Sequence, residues 1–225
     1  MSDSNAKIVI WGSGGISRET AFLIEEINRF ADAKRFEILG YIEKDDQNKG
    51  QLVSGYPVLG TWEILNELDC DGYVVSMGDP ELKRRILEYE TAKVGSHLQA
   101  FNLIHPSVVM RPGYIRLGVG NIIGAGVVLT TDIEIGSHNL INLNCTIGHD
   151  VRIGDRNVIN PLASVSGGVR IGSGSLIGAG VSILQNRTIG DRVTIGAGAV
   201  VTRDITEAGT YVGVPARALG CEVDS

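Results

Sequence analysis

A branched aliphatic residue recurs at every sixth position from Leu117 to Val201, through fifteen consecutive blocks. Glycine follows it in most of the blocks, as in Ile-Gly-Ala-Gly and Ile-Gly-His-Asp. Neither an α-helix nor a hairpin sheet produces a strict period of six. A coiled parallel β-helix does, because each short strand places one aliphatic side chain in a shared central column. The sequence therefore predicts an all-β, hexapeptide-repeat β-helix over this region.

The overall composition argues against several classes of protein. Of the 225 residues, 43% are apolar, only 5% are aromatic and 30 are glycine, which suits tight turns around an Ile and Val core. The net charge of −6 gives no reason to expect binding to nucleic acid or to a membrane surface. No apolar run approaches the ~20 residues of a membrane span, and the start lacks a signal-peptide pattern. Three scattered cysteines without metal-ligand spacing complete the prediction of a cytoplasmic protein that needs no metal.

The first part of the chain has a different pattern, in which buried strands alternate with helices. Strands are predicted over 7–11, 36–43 and 73–77, and helices over 16–30, 61–68 and 80 to about 89. This alternation predicts a small parallel α/β unit of the Rossmann type. We therefore expect two domains: a nucleotide-binding α/β domain with a linker at 1–100, and a β-helix with a C-terminal tail at 101–225.

A glycine-rich loop, Gly12-Ser13-Gly14-Gly15, joins the first predicted strand to the first helix. Glycines let the backbone approach a ligand closely, and the helix N-terminus that follows favours a group such as phosphate. Ser17 replaces the third glycine of a dinucleotide fingerprint, and the domain is long enough for only one mononucleotide-binding half. The alternative is a loop that only permits a tight turn. Glu43, which ends the second strand, is placed either to meet a nucleoside or to remain a solvated acid.

Three hexapeptides form one triangular coil of such a β-helix, so residues eighteen positions apart stack on the same face. The fifth position of each block also points inward, which predicts that Cys145 is a small core residue. On another face this position predicts a structural asparagine ladder: Asn121, Asn139 and Asn157. Arg187 breaks the inward pattern and predicts a local bulge or loop over 185–188.

Two of the four histidines lie within the repeats. His149 occupies an outward turn position, is followed directly by Asp150, and has Gly167 stacked above it. An imidazole beside a carboxylate, next to a bare glycine N–H, can act as a general base beside an oxyanion donor. The alternative is an exposed turn histidine with a solubilising neighbour. His138 has no adjacent acid and is the weaker candidate. The other two histidines are expected to be structural or surface residues: His97 and His105.

Three segments carry a resemblance to one known family. They are the segment from Asn144 to Asp150, the pair Gly167-Gly168, and the tail from Val212 to Arg217. In these segments, and over nearly the whole chain, the sequence resembles the sugar acetyltransferases that include sialic-acid O-acetyltransferases and UDP-4-amino-sugar N-acetyltransferases of bacillosamine synthesis. The resemblance implies a left-handed β-helix, which is an exception to the right-handed crossover rule. It also implies a homotrimer with acetyl-coenzyme A bound between neighbouring β-helices.

The resemblance further implies the residues of the site. The catalytic base of the family matches His149, and the acid that increases its basicity matches Asp150. The nucleotide-sugar contacts fall on the glycine loop and on two later loops: Gly12, Ser13, Gly14, Gly15, Glu43, Lys44 and Gly78. The acetyl-coenzyme A contacts fall on Gly167, Ala179 and Ala197.

Three departures from the family pattern concern substrate contacts. Members often have Asp-Asp in place of Glu43-Lys44, and Asn in place of Asp79. Many have a second histidine near the thioester, where this chain has Val158, whose side chain cannot form a hydrogen bond. We expect Asn157 or the nearby Asn160 to take over this contact with the acetyl donor.

The sequence and the resemblance together predict acetyl transfer from acetyl-coenzyme A to the amine of a nucleotide-linked deoxyamino sugar. The favoured acceptor is UDP-4-amino-4,6-dideoxy-N-acetylglucosamine, used for a bacterial surface glycan or glycoprotein. The alternatives are a sialic-acid O-acetyltransferase, a GDP-perosamine N-acetyltransferase, and a sugar-nucleotide-binding scaffold without activity. A β-helix carbonic anhydrase is disfavoured because it needs three histidines on one metal.

Overall fold

The computed structural model describes residues 5–90 and 98–220, and the chain divides into two compact units. Unit 1 comprises 1–106 with 119–122, and unit 2 comprises 107–118 with 123–225. His97, which was expected to be a structural or surface residue, lies outside the described residues. Among the described helices, none combines the length and the apolar character that a membrane crossing requires.

Unit 1 is an α/β unit whose sheet is mainly parallel. Its strands are β1 (Ala6–Trp11), β2 (Phe36–Ile42), β3 (Leu52–Val53), β4 (Tyr56–Gly60), β5 (Gly72–Val75), β6 (Gln99–Ala100) and β7 (Leu103–Ile104). Its α-helices are α1 (Gly15–Phe30) and α2 (Pro80–Arg85), with a 3-10 helix at Trp62–Asn66 and a π-helical turn at Ile86–Glu90. The order β3-β4-β2-β1-β5-β6 is parallel except for the β3–β4 hairpin.

The predicted elements of unit 1 are present, with several differences. The helix expected over 61–68 is a 3-10 helix limited to Trp62–Asn66, and the strand β6 lies where only a linker was expected. The helix expected from 80 to 89 is α-helical only to Arg85 and ends in the π-helical turn. The β3–β4 hairpin was not predicted, because its strands are short and its turn, Ser54-Gly55, is the main local signal. The core formed by the sheet is completed by aromatic packing, with the Trp11 and Tyr73 rings edge to face at 5.5 Å.

Unit 2 is a left-handed parallel β-helix built from strands of two to four residues. The strands are β8 (Ile115–Leu117), β9 (Ile122–Ile123), β10 (Val128–Leu129), β11 (Ile133–Ile135), β12 (Leu140–Ile141), β13 (Thr146–Ile147), β14 (Arg152–Ile153), β15 (Val158–Ile159), β16 (Ser164–Val165), β17 (Arg170–Ile171), β18 (Leu176–Ile177), β19 (Ser182–Ile183), β20 (Thr188–Ile189), β21 (Val193–Ile195), β22 (Val200–Val201), β23 (Gly209–Val212) and β24 (Arg217–Ala218). Every third strand stacks in register, giving three faces: β10-β13-β16-β19-β22, β8-β11-β14-β17-β20, and the face from β9 to β24.

The corners of the β-helix share one backbone conformation. Positive φ recurs at every sixth residue from Gly120 to Gly198. Most of these positions hold Gly, Asn or Asp, which tolerate the left-handed region best, whereas Leu162 adopts it at a steric cost. Since His138, Arg156 and Arg192 adopt it as well, the coil imposes the corner geometry even where the residue does not favour it.

The interior of the β-helix agrees with two predictions and corrects a third. Cys145 is fully buried, and burial raises the pKa of its thiol to about 11, as expected of a core residue. The asparagine ladder is also present: Asn121, Asn139 and Asn157 are fully buried. The bulge expected at Arg187 is wrong, since Thr188 pairs with Arg170 without a register break. Because β20 is the last strand of its face, the Arg187 guanidinium leaves the core and lies 3.5 Å from Asp204.

Candidate active site

The corner between β13 and β14 carries the histidine and aspartate singled out by the sequence. Gly148 opens this corner, and a Cβ atom at its position would lie 2.7 Å from the Gly167 nitrogen of the coil above. Asp150 adopts a φ of +59°, the left-handed conformation common to the corners. His149 and Asp150 therefore project from a backbone that the neighbouring coils hold in place.

His149 and Asp150 form a hydrogen-bonded pair at this corner. Nδ1 of His149 lies 2.8 Å from Oδ2 of Asp150, and 56% of the imidazole side chain is exposed. An ionised carboxylate only accepts hydrogen bonds, so this contact places a proton on Nδ1 and leaves Nε2 as the acceptor. The exposed nitrogen can thus take a proton from a group that approaches the corner.

The imidazole of His149 rests directly on Gly167. A Cβ atom at residue 167 would lie 2.5 Å from Nε2 and 2.6 Å from Cε1 of the imidazole. The coils are tied together here, because the N–H of Gly168 donates to the carbonyl of His149 at 2.8 Å. Only glycine at this position therefore leaves room for the observed orientation of the ring.

The N–H of Gly167 is available for a ligand. Within the part of the chain that the structure describes, it donates no hydrogen bond, whereas the flanking Gly168 N–H is bonded. A backbone N–H beside a base is the arrangement that stabilises negative charge on a carbonyl oxygen during acyl transfer. The corner thus combines a proton acceptor with an oxyanion donor.

Ala179 and Ala197 lie one above the other on a different corner, the one between the β9-to-β24 face and the face that contains β19. Both are exposed, and neither N–H donates a hydrogen bond within 98–220. Such N–H groups suit amide carbonyls, which the pantetheine arm of coenzyme A provides. The donor set therefore fits the group that the resemblance implied.

The expected contact of Asn157 with the acetyl donor is contradicted by the structure. Its amide nitrogen donates to the Gly172 carbonyl at 2.8 Å and to Oδ1 of Asn139 at 3.1 Å, and its own oxygen accepts from the Ser175 N–H at 2.8 Å. These bonds occupy the side chain inside the coil, so Asn157 is a structural residue. Val158 beside it is also fully buried.

In unit 1 the glycine loop lies at the carboxyl end of β1. Gly12 has a φ of +93°, and its N–H donates to the Ile42 carbonyl at 2.8 Å. A Cβ atom there would lie 2.5 Å from the flexible end of Met77, and the positive φ is what favours glycine at this position. Gly14 and Gly15 are exposed, and Gly14 caps α1 without a side-chain hydrogen bond. No side chain of the N-cap therefore bonds to the first N–H groups of α1, and such uncapped groups suit an anion.

The remaining predicted residues of unit 1 lie at the ends of neighbouring strands. Ser13 donates a hydrogen bond to Oε1 of Glu43, which ties the glycine loop to the end of β2. Gly78 is exposed, and a Cβ atom there would lie 3.5 Å from Ile16, so the loop after β5 adjoins the start of α1. Lys44 is exposed with its ammonium 3.9 Å from Asp45. Asp79 caps α2, since its Oδ1 accepts from the Glu81 N–H at 2.8 Å.

The other histidines of the described chain are placed differently from His149. His138 lies on a different corner, the one between β11 and β12. His105 is mostly buried, with Nε2 4.0 Å from Glu26. Among the described residues, no group of three or more His, Cys, Asp or Glu side chains is arranged to hold a metal ion.

Two family models match the sequence. The model described as the PglD N-terminal domain matches residues 7–89, and the bacterial transferase hexapeptide model, which describes six repeats, matches 150–185 and 168–203. No curated protein matches the chain significantly.

Three solved structures are similar to this chain over nearly its whole length. The acetyltransferase domain of PglB from Neisseria gonorrhoeae, solved with acetyl coenzyme A, is 30% identical over 96% of this chain and 100% of that one, with a TM-score of 0.83. PerB from Caulobacter crescentus, solved with CoA and GDP-perosamine, is 28% identical over 96% and 99%, with a TM-score of 0.84. WeeI from Acinetobacter baumannii is 25% identical over 96% and 100%, with a TM-score of 0.82.

Proposed function

Since this chain belongs to the hexapeptide-repeat sugar acetyltransferases with a PglD-type N-terminal domain, we propose that it acetylates the amine of a nucleotide-linked deoxyamino sugar. It is an acyltransferase, and acetyl-coenzyme A is its co-substrate. The observation that carries the proposal is the His149 ring, held by Asp150 at Nδ1 and resting on Gly167.

In the proposed reaction His149 acts as the general base. An ammonium has no lone pair, so the acceptor must lose a proton before or during its attack on the thioester carbonyl. Nε2 of His149 takes this proton, while Asp150 fixes the tautomer and stabilises the imidazolium. The N–C bond forms to give a tetrahedral adduct, which collapses as the C–S bond breaks. The imidazolium returns its proton to the departing thiolate, and the second proton that the original ammonium must lose passes to solvent.

Gly167 supports this step through its backbone. Its N–H donates to the thioester oxygen as negative charge develops there. Acetyl-coenzyme A supplies the activated acyl group, and the exposed N–H groups of Ala179 and Ala197 hold its amide-bearing arm. Much of the remaining acceleration comes from holding the two substrates together.

We further propose that the acceptor carries UDP, as in UDP-4-amino-4,6-dideoxy-N-acetylglucosamine. Ser13 occupies Oε1 of Glu43, and the second carboxylate oxygen accepts no hydrogen bond within residues 5–90. This oxygen can accept a hydrogen bond from the uracil N3–H, a donor that cytosine lacks at that ring position. Glu43→Ala should then raise the KM for the nucleotide sugar and leave kcat nearly unchanged, since the contact is the same in the ground and transition states.

Calorimetric titration of the full-length protein with UDP, GDP, CMP and NAD tests this preference. Saturable binding of UDP, weakened in Glu43→Ala, supports the assignment. Tight GDP binding with none for UDP would overturn the UDP assignment, and binding of none of the four would refute a nucleotide site in unit 1.

GDP-perosamine is the second candidate acceptor. The observation that favours it is the similarity to PerB, which was solved with GDP-perosamine and matches this chain about as well as the PglB domain does. Guanine also offers N–H donors to Glu43. Acetylation rates with the two nucleotide sugars, measured side by side, distinguish these acceptors.

We also propose that the active unit is a homotrimer. The outward residues of the β10-to-β22 face are small or β-branched, and the corners beside it expose Leu143, Leu162 and Leu184. The exposed leucines beside a flat face of small side chains are typical of a subunit interface. Sedimentation equilibrium should give about three times the 24.0 kDa of one chain, and an active monomer would refute the trimer.

A further inference from the structure

The outward side chains of the β8-to-β20 face carry an unusual order of charges. From the first rung to the last they are Arg116, Glu134, Arg152, Arg170 and Thr188. The first three alternate in sign, which stabilises neighbouring strands. Arg152 and Arg170 then stand directly opposite each other in register, and like charges in this arrangement destabilise a sheet. Folding alone therefore gives no reason for the fourth rung to be arginine.

The acids around this face already have partners. Oε1 of Glu134 accepts from Arg116 and, at 2.8 Å, from Arg152. Asp150 is bonded to His149, and Asp132 accepts from the Thr131 hydroxyl at 2.8 Å. No carboxylate among the described residues forms an ion pair with Arg170.

A second polar side chain near Arg170 is also unengaged. Asn186 lies one coil above Gly168, and its amide forms no hydrogen bond within residues 98–220. Asp150, Arg152, Arg170 and Asn186 line one groove of about 390 Å³. This groove therefore runs beside the His149 corner. Within residues 98–220, its donors without a protein partner include the guanidinium of Arg170 and the side-chain amide of Asn186.

We propose that Arg170, assisted by Arg152 and Asn186, binds a phosphate group of one of the enzyme's two substrates. Two guanidinium groups on adjacent strands match the oxygens of a phosphate, and an anion between them removes their mutual repulsion. The inference rests on the proposed function, because that function brings two phosphate-bearing molecules to the protein. The phosphate belongs either to coenzyme A or to the diphosphate of the nucleotide sugar.

Calorimetry on the full-length protein tests the subsite and identifies the source. The probes are coenzyme A, 3′-dephospho-coenzyme A, UDP and GDP, titrated into the wild type and into Arg170→Gln. We expect the dissociation constant of one class of probe to rise roughly 10- to 100-fold, the loss typical of one hydrogen bond to a charged group. A rise confined to coenzyme A identifies the 3′-phosphate, a rise for both coenzyme A forms identifies its pyrophosphate, and a rise for UDP or GDP identifies the acceptor.

Arg192→Gln is the matched control, since Arg192 is an exposed arginine of the same β-helix that does not line this groove. It should leave every dissociation constant unchanged, and Arg170→Lys, which keeps the charge, should show a smaller loss than Arg170→Gln. Unchanged affinities in a folded Arg170→Gln variant, or a change in sedimentation alone, would overturn the proposal and assign Arg170 to a subunit contact. If the wild type binds these probes but acetylates no amino sugar, the proposed function fails while the effect of Arg170→Gln remains measurable. Binding of none of the probes overturns the subsite as well.

Discussion

The two units of this protein place their functional residues by different means. In the β-helix, each residue has a neighbour eighteen positions away, so His149, Gly167 and Gln185 share one corner because the coil repeats. In the α/β unit, Ser13, Glu43 and Gly78 come together because parallel strands end at one edge of a sheet. A periodic sequence thus reveals which residues stack, whereas an α/β sequence reveals only which strand ends can meet.

This difference also separates the proposed roles. The β-helix corner offers a proton acceptor and a backbone N–H donor, which are the groups that act on reacting atoms. The α/β unit offers exposed glycines, a helix N-terminus without a side-chain cap and a carboxylate, which are groups suited to the proposed nucleotide binding. Substitutions in the β-helix corner should therefore lower kcat, and substitutions in the α/β loops should raise the KM of the acceptor.

The largest effect is expected at His149. His149→Ala should lower kcat by roughly 10²–10⁴-fold at neutral pH, the range for a positioned general base, with little change in nucleotide affinity. The loss should be smaller at high pH, where the acceptor amine deprotonates by itself. Steady-state rates across pH, with His138→Ala as the control, test this expectation. A dead His138 variant beside an active His149 variant would reverse the assignment.

Gly167→Ala should be the next most harmful change. The added methyl group would lie 2.5 Å from Nε2 and must push the imidazole aside, so kcat should fall by about 10²-fold. The control is Gly113→Ala, where a Cβ atom meets nothing within 4 Å. Equal rates for the two variants would show that the resting place of the ring is unimportant for catalysis.

Asn157→Ala separates a structural from a ligand-binding role. Removal of the amide leaves the Ser175 N–H and the Gly172 carbonyl without their partners inside the coil, and each such loss costs about 1–3 kcal/mol of unfolding free energy. Urea denaturation should show this destabilisation, with Asn160→Ala little changed. A normal stability combined with a raised KM for acetyl-coenzyme A would restore the ligand-binding role.

Cys145 provides the mildest test. Burial raises the pKa of its thiol to about 11, so the reactive thiolate should be scarce in the folded protein below that pH. Alkylation of Cys145 at pH 8, followed by mass spectrometry, should be far slower in the native protein than in urea. Rapid native labelling would mean that the coil opens readily at this level.

The fold was largely predictable, and its exceptions have physical causes. The period of six predicted the β-helix and the burial of Cys145, because an inward position follows from register alone. The bulge predicted at Arg187 does not form, because the last strand of a face lets a long side chain leave the core. The asparagine ladder was predicted. The suggested ligand contact of Asn157 was not compatible with it, because an inward amide is already hydrogen-bonded to the coils above and below. The recurrent positive φ could have been read from the Gly, Asn and Asp at every sixth position.

Product analysis with the full-length enzyme tests the central claim most directly. Acetyl-coenzyme A is supplied together with UDP-4-amino-4,6-dideoxy-N-acetylglucosamine, GDP-perosamine or sialic acid, and products are separated and weighed by mass spectrometry. The account predicts a nucleotide sugar that gains one acetyl group on its amine, with one free coenzyme A thiol for each product molecule. Acetylation of sialic acid alone, or of no acceptor by a protein that binds both substrates, would contradict it.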